Sequence, residues 1–133
     1  MPHISNKNLK KEILEKLLNR FAKIIDASVR NHTTETLIFE LFTETERIML
    51  AKRLAVIMMR NKGLSYYSIS ESLQISPSTA ARISLGVEIG KYDKLIRIIN
   101  KEDRSITDLL EKILLAGMPP RGRGRWKYVF RNL

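Results

Sequence analysis

The sequence predicts an all-α protein, and two features of the chain support that prediction. Apolar residues recur every three or four positions along most of the 133 residues, which is the spacing of one helix face. Residues that commonly cap helices stand where these periodic segments begin, namely Thr43, Ser65 and Ser76. No segment has a convincing strand pattern. The chain is therefore expected to consist of helices joined by short turns.

The first part of the chain predicts one long and one short helix. The long helix covers about residues 6–29 and has a broad apolar face opposite its charged residues. The members of that face are Leu9, Ile13, Leu14, Leu17, Leu18, Phe21, Ile24, Ile25 and Ser28. A break at residues 31–33, which includes a candidate cap, separates it from a second, short helix that carries Leu37, Ile38, Leu41 and Phe42.

A third helix begins with the spacing of a capping box. In such a box the Thr43 hydroxyl and the Glu46 carboxylate each accept a hydrogen bond from the other residue's free amide. The helix carries Ile48, Met49, Leu50, Leu54, Val56, Ile57 and Met58. It is expected to end at Gly63, because glycine adopts the left-handed conformation that terminates many helices.

Residues 65–86 have the pattern of a helix-turn-helix. Ser65 can cap the first helix and Ser76 the second, where Pro77 gives up an amide that has no partner at that position. Apolar residues stand where the two helices must pack together, at Ile69, Leu73, Ile75, Ala80 and Ile83. Gln74 occupies the turn, where many such units have glycine. Because these units place their second helix in the major groove, the segment predicts binding to duplex DNA.

Two more helices and a tail are expected after the motif. One helix lies around residues 92–99 and ends at the polar run 101–104, and the last ends at Gly117. We therefore assign residues 1–117 to a helical domain for dimerisation and DNA binding. Residues 118–133 form a separate basic tail rich in arginine, glycine and aromatic residues.

Composition favours a polyanionic partner and argues against several other kinds of site. The formal net charge is +10, and the chain has no cysteine for disulfides or thiolate catalysis. It has no run of 18 apolar residues that would span a membrane, and its N-terminus lacks the apolar core of a signal peptide. His3 and His32 are isolated, and no catalytic or metal-ligand spacing appears. We expect a cytoplasmic, nucleoid-associated protein that is not an enzyme, has no cofactor and does not bind membranes.

The predicted apolar surface exceeds what one short bundle needs. A first helix of over 20 residues with a wide apolar face, followed by a second apolar helix, suits burial against another copy of the chain. A dimer also fits duplex DNA, since two recognition helices about 34 Å apart meet successive major grooves on one face. We expect a homodimer; the alternative is a first helix that folds back on its own chain.

Two groups of side chains are candidates for DNA contact. On the second motif helix, the residues not needed for packing are Ser76, Pro77, Ser78, Thr79, Ala81 and Arg82. Among these, only Arg82 can make a bidentate contact with guanine, so readout through water and DNA shape is also expected. Phosphate contacts are expected from outside that helix, from Lys52, Arg53, Arg60, Lys62, Tyr66 and Tyr67.

The tail adds a cluster of cations without any acidic residue. The cations within residues 118–133 are Arg121, Arg123, Arg125, Lys127 and Arg131. Alternating glycine lets the backbone follow a groove or a phosphate chain, so we interpret the tail as a DNA arm. Its aromatic residues suit an arm poorly and indicate an anchor on the protein or on a partner. A disordered basic tail is the alternative.

From about Leu14 to Gly86 the chain resembles the Trp repressor superfamily. The order of a long helix, a short apolar helix, a long central helix and a helix-turn-helix matches along this whole span. The most specific parts are the capping segment Thr43–Arg47 and the stretch Ser76–Arg82. The resemblance implies a Trp-repressor-like helical bundle that forms an intertwined dimer through its N-terminal helices.

The resemblance also implies candidates for a ligand pocket. In tryptophan-responsive members, two arginines sandwich the indole and a threonine helps to bind the amino group; Arg53, Arg82 and Thr43 match them. Where those members have glycine and then serine, this chain has Ile83 and Gly86. A branched side chain should fill space shaped for a planar ligand. We therefore expect a recognition helix set without tryptophan, with an amino-acid-responsive repressor as the alternative.

Together these features predict a sequence-specific regulator of transcription, repressor-like, that binds double-stranded DNA through a helix-turn-helix. An RNA-binding, architectural or mobile-element protein is the alternative, favoured by the arginine–glycine tail. Preference for single-stranded RNA over duplex DNA would distinguish the two.

Overall fold

The structure, a computed structural model, describes residues 9–117, of which 103–106 and 116–117 are described only in their backbone. This part of the chain forms seven α-helices and no strand, which confirms the predicted all-α fold. They are α1 (Lys11–Arg30), α2 (Thr34–Leu41), α3 (Glu44–Asn61), α4 (Tyr66–Leu73), α5 (Pro77–Glu88), α6 (Asp93–Lys101) and α7 (Asp103–Gly117). The assignment of residues 1–117 to one domain stays a prediction. The described residues divide into two compact units, one ending at Arg47 and the other beginning at Ile48.

Helix α1 begins later than its apolar periodicity predicts. Leu9 and Lys10 lie before the helix, and Lys10 has an extended backbone (ψ 138°) without a side-chain cap. Apolar spacing defines a helix face, whereas the end of a helix depends on partners for its first free amides. Lys10 offers no acceptor for those amides, so the predicted start near residue 6 is wrong for Leu9 and Lys10; residues 1–8 lie outside the described range.

The break between α1 and α2 is a tight turn. His32 adopts a left-handed backbone (φ 56°), and the amide of Thr33 donates to the Ser28 carbonyl at 2.8 Å. The Thr33 hydroxyl also donates to that carbonyl, at 3.4 Å, and does not cap α2. The candidate cap in this break therefore closes the end of α1 instead of opening α2.

Arg47 holds the end of α2 in the first unit. Its Nη1 donates to the carbonyls of Phe39 at 3.2 Å and Phe42 at 2.7 Å, and its guanidinium lies 4.6 Å from the centroid of the Phe39 ring. Helix C-termini leave carbonyls unpaired and carry partial negative charge, so a cation there stabilises the helix end. Phe42 also packs edge-on against Phe21 of α1, with ring centroids 6.4 Å apart.

Both predicted ends of α3 are confirmed. The Thr43 amide donates to Glu46 Oε1 at 3.0 Å, and the Glu46 amide donates to Thr43 Oγ1 at 3.2 Å, which completes the capping box. At the other end, Gly63 has φ +89°, its amide donates to the Arg60 carbonyl, and the amide of Leu64 donates to the Met59 carbonyl. This pair of bonds is the Schellman arrangement that ends a helix at a left-handed glycine.

The second unit has one core, built where α3, α4, α5, α6 and α7 pack together. Its members are Ala55, Val56, Ile57, Met58, Met59, Leu64, Ile69, Leu73, Ala80, Ile99, Leu110 and Leu114. Ile75 and Ile83 are partly buried against the same core, so all five apolar positions predicted for the motif pack as expected. Asn61 Nδ2 donates to Asn100 Oδ1 at 2.8 Å and ties the end of α3 to α6.

Candidate nucleic-acid interface

Both predicted caps of the helix-turn-helix are present. The Ser65 hydroxyl accepts from the Ser68 amide at 3.3 Å at the start of α4, and the Ser76 hydroxyl accepts from the Thr79 amide at 3.2 Å at the start of α5. Pro77 is at the beginning of α5, as its sequence position indicates. These local bonds fix where each helix begins.

The turn between α4 and α5 takes the backbone shape of a glycine turn without having glycine. Gln74 has φ 56° and ψ 49°, which is left-handed, and its carbonyl accepts from Lys52 Nζ at 3.5 Å. The amide of Ile75 donates to the Ser70 carbonyl at 3.1 Å and closes the end of α4. The turn therefore keeps the motif's geometry, at the energetic cost that a side chain incurs in this conformation.

Three hydroxyl groups cluster at the N-terminus of α5. Ser76 Oγ lies 2.7 Å from Thr79 Oγ1 and 3.2 Å from Ser78 Oγ. Ser76 and Ser78 are exposed and Thr79 is half-buried. Hydroxyls can donate or accept, and the free amides of a helix N-terminus favour an anion nearby. This end of α5 can therefore bind phosphate oxygens or base edges.

The rest of α5 separates into an inner and an outer face. Ala80 and Ser84 are buried, whereas Pro77 and Arg82 are exposed and Ala81 is half-buried. Arg82 forms no ion pair among the described residues. The structure thus places all six predicted recognition-helix residues outside the buried core.

The basic residues in and just after α3 differ in their exposure and in their bonds to other parts of the protein. Arg60 donates to the Leu64 carbonyl at 3.1 Å and forms an ion pair with Glu88, so its guanidinium joins the end of α3 to the end of α5. Lys62 is half-buried. Arg53 is exposed. Arg60 therefore has a structural role that the sequence did not indicate.

The two tyrosines at the start of α4 are both exposed but have different surroundings. A hydrogen bond with Glu71, one turn further on, raises the pKa of the Tyr67 hydroxyl, and the carboxylate's charge adds to the effect. No polar partner of the Tyr66 hydroxyl is found in the described part of the chain. Tyr66 is thus the better placed of the two to donate to a phosphate.

Other kinds of site find no support in the residues described. No group of three or more His, Asp or Glu side chains could hold a metal ion there. Over the same residues, no helix is long and apolar enough to cross a bilayer. The predicted DNA arm, with Arg121, Arg123 and Arg125, lies outside the described range.

A comparison with known families assigns this fold. A family model described as Trp repressor protein matches residues 16–102, well over half of the chain. The chain belongs to the Trp repressor family. Trp repressor relatives are helix-turn-helix proteins that regulate through DNA binding and are not enzymes. No curated protein and no solved structure matches the chain significantly.

The structure shows how Ile83 and Gly86 pack, the two positions that the resemblance connects with the tryptophan pocket. Ile83 packs against the core, and Gly86 is buried inside α5. A Cβ atom added at Gly86 would lie 2.7 Å from Cε2 of the Tyr92 ring, so this ring occupies the space of a side chain at that position. Sequence reasoning missed this contact, although a glycine inside a helix is a signal of close approach by a neighbour.

The remaining pocket candidates are Thr43, Arg53 and Arg82. Thr43, in the first unit, is engaged with Glu46 in the capping box. Arg53 and Arg82, in the second unit, are both exposed. Their roles in ligand binding stay a prediction.

Proposed function

We propose that this protein is a sequence-specific, repressor-like regulator of transcription that binds double-stranded DNA with α5 as its recognition helix. The observation that carries the proposal is the two-sided character of α5. One side is packed into the core, and the other presents Arg82 and the N-terminal hydroxyls to solvent. Such a helix can enter a major groove without disturbing its own packing.

Base readout is assigned chiefly to one side chain. Arg82 is the single exposed residue of α5 able to bind guanine O6 and N7 together, a contact worth about 1–3 kcal/mol of discrimination. Ser76, Ser78 and Thr79 would bond phosphates or bases, while Pro77 and Ala81 offer apolar surface, including contact with thymine methyl groups. Phosphate contacts would come from Tyr66, Tyr67 and Lys62 at the edge of the motif and from the tail, whereas Arg60 is paired with Glu88.

A homodimer is proposed from the exposed apolar face of the first unit. Leu14, Leu17 and Leu18 on α1 are 46%, 53% and 57% exposed, and Phe39 on α2 is 67% exposed. Contiguous apolar surface of this kind usually marks an interface. In that dimer, two copies of α5 would meet successive major grooves, which predicts a palindromic site.

Binding without tryptophan is the third part of the proposal. The core packing of Ile83 and the contact between the Tyr92 ring and Gly86 support it, because both fill space beside the recognition helix. A protein interior tolerates little overpacking, so a planar ligand would have to displace one of these side chains. We also propose that the regulator is cytoplasmic and associated with the nucleoid.

Selection from a random duplex DNA pool, with the mass of the complex measured alongside, tests the proposal. We expect a palindrome bound by two copies of the chain without added ligand. Enrichment of no motif, or preference for single-stranded RNA, would contradict it. Calorimetry with L-tryptophan tests the third part separately, since measurable binding or a tryptophan-dependent DNA affinity would overturn it.

A further inference from the structure

A second basic surface lies on α6, outside the helix-turn-helix. Lys94, Arg97 and Lys101 are exposed and follow one another at spacings of three and four residues, which places them on one face of the helix. We call these three residues the α6 stripe. Leu95, Ile96 and Ile99 are partly or fully buried on the opposite side. Among the described residues, none of the three stripe cations forms an ion pair.

The stripe is connected to the recognition helix by a short, well-bonded turn. The amide of Lys91 donates to the Gly86 carbonyl at 2.9 Å, and the amide of Gly90, which has φ +84°, donates to the Val87 carbonyl at 3.3 Å. The Tyr92 ring packs on Gly86, and Asn100 at the far end of α6 is bonded to Asn61. Both ends of α6 are thus fixed within the second unit.

Lys91 lies in the turn between α5 and the α6 stripe. Arg82 and Gly86 are one turn apart on α5 and so share a face. The Cδ of Lys91 lies 3.5 Å from the position of a Cβ at Gly86, and its Nζ lies 5.4 Å from the centroid of the Tyr92 ring. Lys91 thus lies beside the last turn of α5, and it lines one groove together with Lys94 and Arg97 of the stripe.

The net charge of the helix-turn-helix differs from that of the segment containing Lys91 and the α6 stripe. The helix-turn-helix itself carries almost no net charge, and Arg60 of α3 is already paired with Glu88. Residues 91–101, by contrast, include four basic residues and one acidic residue, Asp93. Affinity for duplex DNA comes largely from cations that neutralise phosphates, so α6 supplies what the motif lacks.

We propose that the α6 stripe, with Lys91, binds the phosphate backbone of duplex DNA beside the base pairs that α5 reads. Lys94 and Lys101 are seven residues apart, which is about 10 Å along a helix and about three axial spacings between phosphates on one strand. The partner is thus the same DNA molecule, extended beyond the selected motif. This inference rests on the proposed function.

The test replaces the stripe by uncharged residues of similar helix propensity. The triple variant Lys94→Gln, Arg97→Gln, Lys101→Gln is compared with Lys16→Gln, Lys23→Gln, Arg30→Gln on α1, which removes the same three charges from exposed positions. Fluorescence anisotropy gives affinity against salt concentration on a long duplex and on one trimmed to the selected motif. A third variant, Lys94→Arg with Lys101→Arg, keeps the charge and guards against a folding defect.

On the long duplex, we expect the slope of log affinity against log salt concentration to be smaller in magnitude for the stripe variant, by about 2–3 for each protomer. The α1 variant and the arginine variant should retain the full slope, and trimming the duplex should remove most of the stripe's effect. An unchanged slope, or an equal loss in the α1 variant, would overturn the proposal. So would an effect confined to single-stranded RNA. Failure of the proposed function would appear instead as wild-type protein without any preference for the selected motif.

Discussion

Replacing Gln74 with glycine should stabilise the protein, although it removes a side chain. Gln74 has φ 56°, and a side chain in this left-handed region costs about 1–2 kcal/mol. Glycine relieves that cost but loses about 0.5–1 kcal/mol through its greater freedom in the unfolded chain. The residue is exposed, and the hydrogen bond that it accepts from Lys52 is to its backbone carbonyl and survives the change. We therefore expect a net gain of about 0.5–1 kcal/mol.

Denaturant unfolding of Gln74→Gly measures this gain, and thermal unfolding should show a midpoint about 2–4 °C higher. Gln74→Ala is the matched control, because alanine keeps the Cβ atom and should give no gain. Gln74→Asn should fall between the two, since asparagine tolerates the left-handed region better than most residues. Affinity for the selected duplex should stay within about twofold of wild type, because the angle between α4 and α5 is unchanged. Equal stability of the glycine and alanine variants would refute the reasoning.

Three further predictions concern buried hydroxyls, acid stability and the tail. Ser84 Oγ is buried without a hydrogen-bond partner among the described residues, so Ser84→Ala should stabilise by about 1 kcal/mol in denaturant unfolding. Ser72→Ala is its control, because that buried hydroxyl donates to the Ser68 carbonyl at 2.8 Å, and a gain as large as that of Ser84→Ala would contradict the account. Hydrogen bonds from the Thr43 amide and hydroxyl lower the pKa of Glu46, so the capping box stabilises the fold above the ordinary glutamate pKa and loses this effect as pH falls through the lowered pKa. The difference in melting temperature between wild type and Glu46→Gln should accordingly shrink from pH 7 to pH 3, and a constant difference would count against it. Deletion of residues 119–133 should reduce the slope of log affinity against log salt concentration by roughly 0.9 for each phosphate that the tail's cations neutralise. An unchanged slope would refute the interpretation of the tail as a DNA arm.

The ends of helices that are set by local sequence could be predicted, because a capping residue bonds only to residues a few positions away in the chain. The capping box of Thr43 and Glu46, the Ser65 and Ser76 caps and the Gly63 stop all formed as the spacing indicated. The all-α fold followed from apolar periodicity together with the cap residues that begin the periodic segments. The start of α1 did not, since periodicity continues through Leu9 with no cap to end it.

Features that depend on contacts between distant residues could not be predicted. The bond from Arg60 to Glu88 joins residues 28 positions apart, and no periodic pattern marks such a pair. The Tyr92 ring rests on Gly86 because the turn after α5 folds back on that helix, where the Lys91 amide donates to the Gly86 carbonyl. The left-handed turn at Gln74 was obscured by its residue type, because packing of the motif helices outweighs the local preference for glycine.

The most direct test of the central claim is a base-by-base affinity profile of the Arg82→Ala variant on the selected duplex and on all its single-base substitutions. If α5 reads DNA through Arg82, the variant should lose about 5- to 150-fold in affinity for each half-site of the selected duplex. Preference for guanine should vanish at one position in each half-site and persist at the others. An unchanged profile, or an equal loss of affinity on every sequence, would contradict the assignment of α5 as the recognition helix.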